Sequence, residues 1–200
     1  MFKVPSYNKR TFSSPMTQLT PQPTLECLLS REQIQQRVEE LGGEISRDFA
    51  GQAIVLVGVL KGAATFVADL ARAITVDCTF DFLAVSSYGM ATRSSDVRLI
   101  KDLDQPLEHR RVILVEDILD TGRTLCYLKN LLLARSPATL KIAALLDKPE
   151  RRLCDIQADY VGFTIPSRFV VGYGMDFAER YRNLPDIRLM PEDTPTDIWE

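Results

Sequence analysis

Arg111-Val-Ile-Leu-Val-Glu-Asp-Ile-Leu-Asp-Thr-Gly-Arg-Thr-Leu125 is the stretch on which the fold turns. Val112 to Val115 is apolar and rich in β-branched residues, with no polar alternation, as expected of a strand buried on both faces of a parallel sheet. The run stops at two adjacent acids, Glu116 and Asp117, and the strand is expected to end there. After Ile118 and Leu119 come Asp120-Thr121-Gly122-Arg123-Thr124, and then a helical pattern carried by Leu125, Leu128, Leu131 and Leu132. Hydroxyls, a glycine and a cation at a helix start make an anion cradle, because free backbone N–H groups point outward and Gly122 lets the chain approach closely.

The rest of the chain fits one domain. Two hundred residues, 46% of them hydrophobic and 26% charged, can build a single sizeable core. A net charge of −3 argues against general binding to nucleic acid or to anionic membranes. The longest apolar run, Ala53 to Leu60, is too short to cross a bilayer, so a cytoplasmic protein with no membrane partner is expected. Cys27, Cys78, Cys126 and Cys154 show no C-x-x-C spacing and read as reduced, buried thiols. His109 is the only histidine and sits among charges before a strand, which disfavours histidine-dependent nucleophiles and multi-histidine metal sites.

Working outward, residues 1–24 carry Lys3, Lys9 and Arg10 but no acid, and read as a flexible tail preceding a domain over 25–200. Their basic character also fits an organelle transit peptide, with Met16 as an alternative start. Ser30 and Gln33 have capping-box spacing ahead of Ile34, Val38, Leu41 and Ile45, predicting a helix over 31–47 with a break or kink at Gly42-Gly43. Ala53 to Leu60 predicts a buried strand, followed by Lys61-Gly62 and a helix carrying Phe66, Leu70 and Ile74, the start of a βαβ unit. Thr79 to Tyr88 is a further strand, and Gly89 to Asp96 is a polar loop that reads either as a lid or as an ordinary exposed hairpin. Val97 to Ile100 completes a ribbon with the strand before it. Leu140 to Leu146, Tyr160 to Ile165 and Phe169 to Val171 supply more strands, and Tyr173 to Arg182 is a polar turn.

Common nucleotide motifs are absent: there is no G-x-x-x-x-G-K-[ST] run, and Gly172-Tyr173-Gly174 lacks a third glycine because position 177 is Phe. The segment E-D-I-L-D-T-G-R-T instead resembles the phosphoribosyl-diphosphate signature of the type I phosphoribosyltransferases. Leu60-Lys61-Gly62 resembles that family's pyrophosphate loop, and Ser86-Ser87-Tyr88-Gly89 the start of its lid. Asp147-Lys148-Pro149 is similar to its purine-recognising segment, and Phe169 to Asp176 to its base-stacking and metal-proximal segment. These pieces narrow the likeness to the hypoxanthine-guanine branch and cover most of residues 25–190.

The resemblance implies an α/β fold, with a mostly parallel central sheet flanked by helices and a small hood formed by the N-terminal helix and the segment after Tyr160. It implies transfer of phosphoribosyl from phosphoribosyl diphosphate to hypoxanthine or guanine, with magnesium, in a homodimer or homotetramer. Asp120 is then the general base at purine N7. Glu116 and Asp117 hold the ribose hydroxyls and, with Asp176, the metal. Thr121, Gly122, Arg123 and Thr124 take the 5′-phosphate, and Lys61, Gly62 and Arg182 the pyrophosphate. Lys148, Phe169, Val170 and Asp176 meet the purine, and Ser87 and Tyr88 belong to the lid. Arg123 occupies a variable family position, so its side chain is not assigned to the ligand.

Singly, these residues have plainer readings: Asp120 and Thr121 as helix caps, Lys61 as a surface lysine, Phe169 as core, Asp176 and Arg182 as an exposed ion pair. The alternative within the same fold is an RNA-binding pyrimidine attenuation regulator or uracil phosphoribosyltransferase, which predicts a basic face that the net charge of −3 does not suggest.

Overall fold

A computed structural model describes residues 25–87 and 97–191. Its centre is a six-stranded sheet built from β2 (Ile54–Leu60), β3 (Cys78–Ser87), β4 (Val97–Lys101), β5 (Arg111–Leu119), β6 (Thr139–Asp147) and β7 (Tyr160–Thr164), in the order β4-β3-β2-β5-β6-β7. Every pairing is parallel except β3 with β4, which forms the antiparallel ribbon expected at that edge.

Successive residues of a strand face opposite sides, so β2 and β5 each feed two cores. Ile54, Leu56, Ile113 and Val115 pack beneath α1 (Arg31–Asp48) and α2 (Ala64–Ala73). Val55, Val57, Val112 and Leu114 pack beneath α3 (Arg123–Leu133). Burial on both faces is why the strands read as unbroken apolar runs.

Helix α1 begins with the capping box, Gln33 N–H donating to Ser30 Oγ and Ser30 N–H to Gln33 Oε1. It runs through Gly42 and Gly43 without the expected break. Gly42 is a close-approach residue instead: a Cβ there would lie 2.5 Å from the Cβ of Ala73 on α2.

The hood also departs from expectation. It is a second antiparallel sheet of β1 (Glu26–Leu29), β9 (Ile187–Leu189) and β8 (Val170–Val171), while α1 packs on α2 and β7 as part of the main layer. Strands this short carry too little pattern to be read locally and exist through their pairing.

The four cysteines are free thiols and none is fully buried: Cys27 is exposed, and Cys78, Cys126 and Cys154 are half-buried. His109 is exposed, as expected. No helix of the described residues is long and apolar enough to cross a membrane. Residues 1–24, with Met16, lie outside the described residues, as do Tyr88 and the lid segment after it.

Candidate active site

Strand order places the site. The chain leaves β2 through α2 toward β3 on one side, and β5 through α3 toward β6 on the other, so a crevice opens between the carboxyl ends of β2 and β5. Lys61 and Gly62 follow β2 directly, joined to it by a cis Leu60–Lys61 peptide. A Cβ on Gly62 would overlap the Asp117 carboxylate, so only glycine lets the β2 loop approach the acids of β5 this closely.

Strand β5 does not end at its two acids but continues to Leu119, paired there with Asp147 of β6. The pleat therefore sends Glu116 and Asp117 to opposite faces. Glu116 is 9% exposed, and among the described residues its Oε2 is buried without a hydrogen-bond partner. Burial first, and the neighbouring Asp117 second, push its carboxyl well above the usual range. Burial likewise raises Asp117 to about 6, against the pull of the Ile118 N–H and of Arg182. Two such carboxyls, of which only Asp117 feels a nearby cation, are prepared for hydroxyl donors or an added positive charge.

Beyond Leu119 the chain turns into α3. The residue capping α3 is Gly122, at φ 81°, and no side chain caps the helix. Asp120 and Thr121 are therefore not caps, which removes the plainer reading of both. Asp120 lines two cavities. It shares one of about 180 Å³ with Asp117, Lys148, Phe169, Val170 and Asp176, and one of about 70 Å³ with Glu116, Thr121, Gly122 and Thr124. The structure thus brings the residues expected at the base into one cavity and those expected at the phosphate into the next. Arg123 lines neither and is exposed.

Lys148 follows β6 and is only 5% exposed. Burial lowers its ammonium, and the nearby Asp120 carboxylate works against that fall. Phe169 is 54% exposed, so it is not a core residue, and its ring stands edge-on to Phe177 at 5.7 Å. Val170 is buried in the hood sheet beside it. Ser87 ends β3, and Tyr88 beyond it lies outside the described residues.

The two cations expected at the pyrophosphate are joined by a residue that the sequence reading passed over. Glu179 accepts from Lys61 Nζ at 2.9 Å and lies 3.4 Å from Arg182, which also pairs with Asp176 at 2.8 Å. Arg151 and Arg152 were likewise passed over. Arg152 donates to the carbonyls of Leu119 and Asp120 and pairs with Asp147, and Arg151 Nε lies 2.7 Å from Asp120 Oδ1. The doubled arginine after Lys148-Pro149 was the available signal.

Among the described residues no three His, Cys, Asp or Glu side chains form a metal cage. A larger cavity of about 660 Å³, between α1, α2 and the 173–185 segment, shares only Arg182 with the expected residues. Its lining lacks the buried acids and the lysine expected to carry the chemistry, so the smaller pair of cavities is the candidate site.

Comparison with known proteins covers most of the chain. The family described as phosphoribosyl transferase domain matches residues 26–178. The chain is 47% identical over 169 residues to the hypoxanthine-guanine phosphoribosyltransferase of Streptococcus mutans, covering 84% of this chain and 94% of that protein. It is 50% identical over 166 residues to the Bacillus subtilis protein of the same name, covering 82% and 92%. A crystal structure of a hypoxanthine-guanine phosphoribosyltransferase from Bacillus anthracis superposes with a TM-score of 0.80 at 50% identity, over 83% of this chain and 98% of that one. The Trypanosoma cruzi hypoxanthine phosphoribosyltransferase, solved with its product IMP, also gives 0.80, at 40% identity over 85% and 96%.

Proposed function

The chain belongs to the phosphoribosyl transferase domain family, and from that premise we propose that it is a purine salvage enzyme, transferring 5-phosphoribosyl from phosphoribosyl diphosphate to hypoxanthine or guanine. The products are IMP or GMP and pyrophosphate. The observation that supports this most directly is the position of Asp120, shared between a cavity holding the buried Lys148 and a cradle at the start of α3. A purine in the first and a 5′-phosphate in the second bring N9 and the ribose together beside one carboxylate.

In this reading the bond from C1′ to pyrophosphate breaks as the bond to N9 forms, and Asp120 takes or holds the N7 proton. Lys148 donates to the 6-oxo group, and Phe169 offers its exposed ring as a stacking surface. The ribose hydroxyls donate to Glu116 and Asp117, which have few donors of their own. Lys61 and Arg182 neutralise the departing pyrophosphate, where charge develops during the reaction.

Magnesium ordinarily binds through one or two carboxylates together with substrate oxygens, which fits the partnerless Glu116 Oε2 and the lack of a three-acid cage among the described residues. When bound, it supplies positive charge against the pyrophosphate. Glu116 and Asp117 would meet it around the ribose, and Asp176 by exchanging its pairing with Arg182. A cytoplasmic setting and assembly into dimers or tetramers are part of the same proposal, and the family likeness is what supports them. The relatives named above are purine enzymes, and the RNA-binding or uracil alternative draws no support from them.

A steady-state assay with magnesium, phosphoribosyl diphosphate and each of hypoxanthine, guanine, xanthine, adenine and uracil tests the reading. Turnover is expected with hypoxanthine, guanine or both, and adenine should be rejected on the order of 10⁴-fold because it leaves Lys148 without an acceptor. No turnover with any purine defeats it.

A further inference from the structure

The Asp120 carboxylate has two cations near it: Lys148, which lines the same cavity, and Arg151, on the 3-10 turn Pro149–Arg151 that follows. The Arg151 contact is close, 2.7 Å from Nε to Oδ1, yet Oδ1 is buried without a properly aligned N–H donor. It is thus a charge contact and not a directed hydrogen bond. The Asp120 side chain is 35% exposed although Oδ1 is buried, so its exposure belongs to the other atoms. One carboxylate oxygen is engaged and the remainder of the group faces open space.

The backbone beneath is held by the same segment. Lys148 N–H donates to Leu119 O, Arg152 Nη1 to Leu119 O and Asp120 O, and Leu153 N–H to Thr121 O. With the main chain clamped, the remaining freedom at Asp120 is rotation of its side chain. Lys148 lines the same cavity, and its ammonium, whose proton affinity burial lowers, lies close enough to feel the Asp120 charge. An Asp120–Lys148 pair would consume both groups that the purine needs.

We propose that Arg151 is a positioning residue for the general base: it holds the buried Asp120 Oδ1, leaving Oδ2 for purine N7 and Lys148 free for the 6-oxo group. This rests on the phosphoribosyl-transfer reading of the site. As a stabilising ion pair the contact has little value, because Arg151 is 50% exposed and water screens such a pair. Its effect lies in where a carboxylate points, and misplacing a reacting group by about 1 Å costs up to about 10²-fold in rate.

The test is a double-mutant cycle on the full chain, with R151Q, R151K, D120N and R151Q/D120N assayed for IMP formation. R151Q should lower kcat/KM for hypoxanthine about 10-fold, leave KM for phosphoribosyl diphosphate near the wild-type value, and be largely rescued in R151K. In the D120N background the same change should have almost no further effect, because the charge that Arg151 orients is gone. Wild-type kcat/KM in R151Q, or losses that multiply independently in the double variant, overturn the proposal. So does a uniform rise in both KM values with no rescue by lysine, which is the mark of a structural role. If the wild-type protein turns over no purine, the reading of the site falls and this proposal falls with it; if it does and R151Q is normal, only this proposal falls.

Discussion

Asp117 shows how the site's chemistry is stored as unfavourable burial. Its carboxyl is raised to about 6, chiefly by burial. The folded protein therefore keeps this proton at a pH where the unfolded chain, with an ordinary aspartate near about 3.9, has lost it. The contribution to stability is complete below the unfolded value and is lost as the pH rises through about 6. The ligand-free D117N variant escapes that loss, so its thermal midpoint should exceed the wild type's by more at pH 8 than at pH 5. Asp48, held below its usual range by Tyr160 and Lys141, and Asp186, held down by Arg188, work in the opposite sense. They do so equally in both proteins and drop out of the difference. Equal midpoint differences at the two pH values would contradict the assignment. At the same scale, Asp120 combines a local identity legible in the D-x-x-D-T-G run with a partner, Arg151, that sits thirty-one positions away and is brought close only by the fold.

At the scale of elements, two contacts set the geometry of the crevice. One is the wrapping of residues 148–153 around 119–121, which ties the lysine-bearing loop to the end of β5. The other is the seat of α1 on α2 at Gly42, where Ser46 Oγ also donates to Gly42 O and accepts from Thr75 N–H. Because α2 begins two residues after Gly62, moving α2 disturbs the loop facing Asp117. G42V places a branched side chain where even a single carbon would collide, and it should cost about 1–3 kcal/mol in urea unfolding. An unchanged midpoint would show that the helices separate without penalty. The glycine pair looked like a helix break because propensity disfavours glycine inside helices, and close packing outweighs propensity here.

At the scale of the molecule, the topological switch between β2 and β5 gathers residues from positions 61 to 182 onto one edge of the sheet. With buried acids on one strand and Lys61 and Arg182 opposite, ligand and metal should bind as a set. Phosphoribosyl diphosphate with magnesium should raise the thermal midpoint, since a ligand at 100 times its Kd adds about 2.7 kcal/mol. Chelation with EDTA should cancel most of that rise, because the substrate's charge then meets Glu116 and Asp117 without a cation between them. A shift of the same size with EDTA present would remove magnesium from the complex.

Much of this was legible without coordinates, and the physical division is clear. Alternation and its absence marked β2, β5 and β6, helical spacing marked α1 and α3, and the D-T-G turn marked the cradle, since each depends on residues within a few positions of one another. The hood strands β1 and β9, the continuation of β5 past its acids, the contact at Gly42 and the roles of Glu179 and Arg151 depend on partners far along the chain. The sequence by itself determined the family and the parallel α/β class. Only the tertiary structure decided which charges face one another, because burial and pairing are properties of the space between segments and not of any one of them.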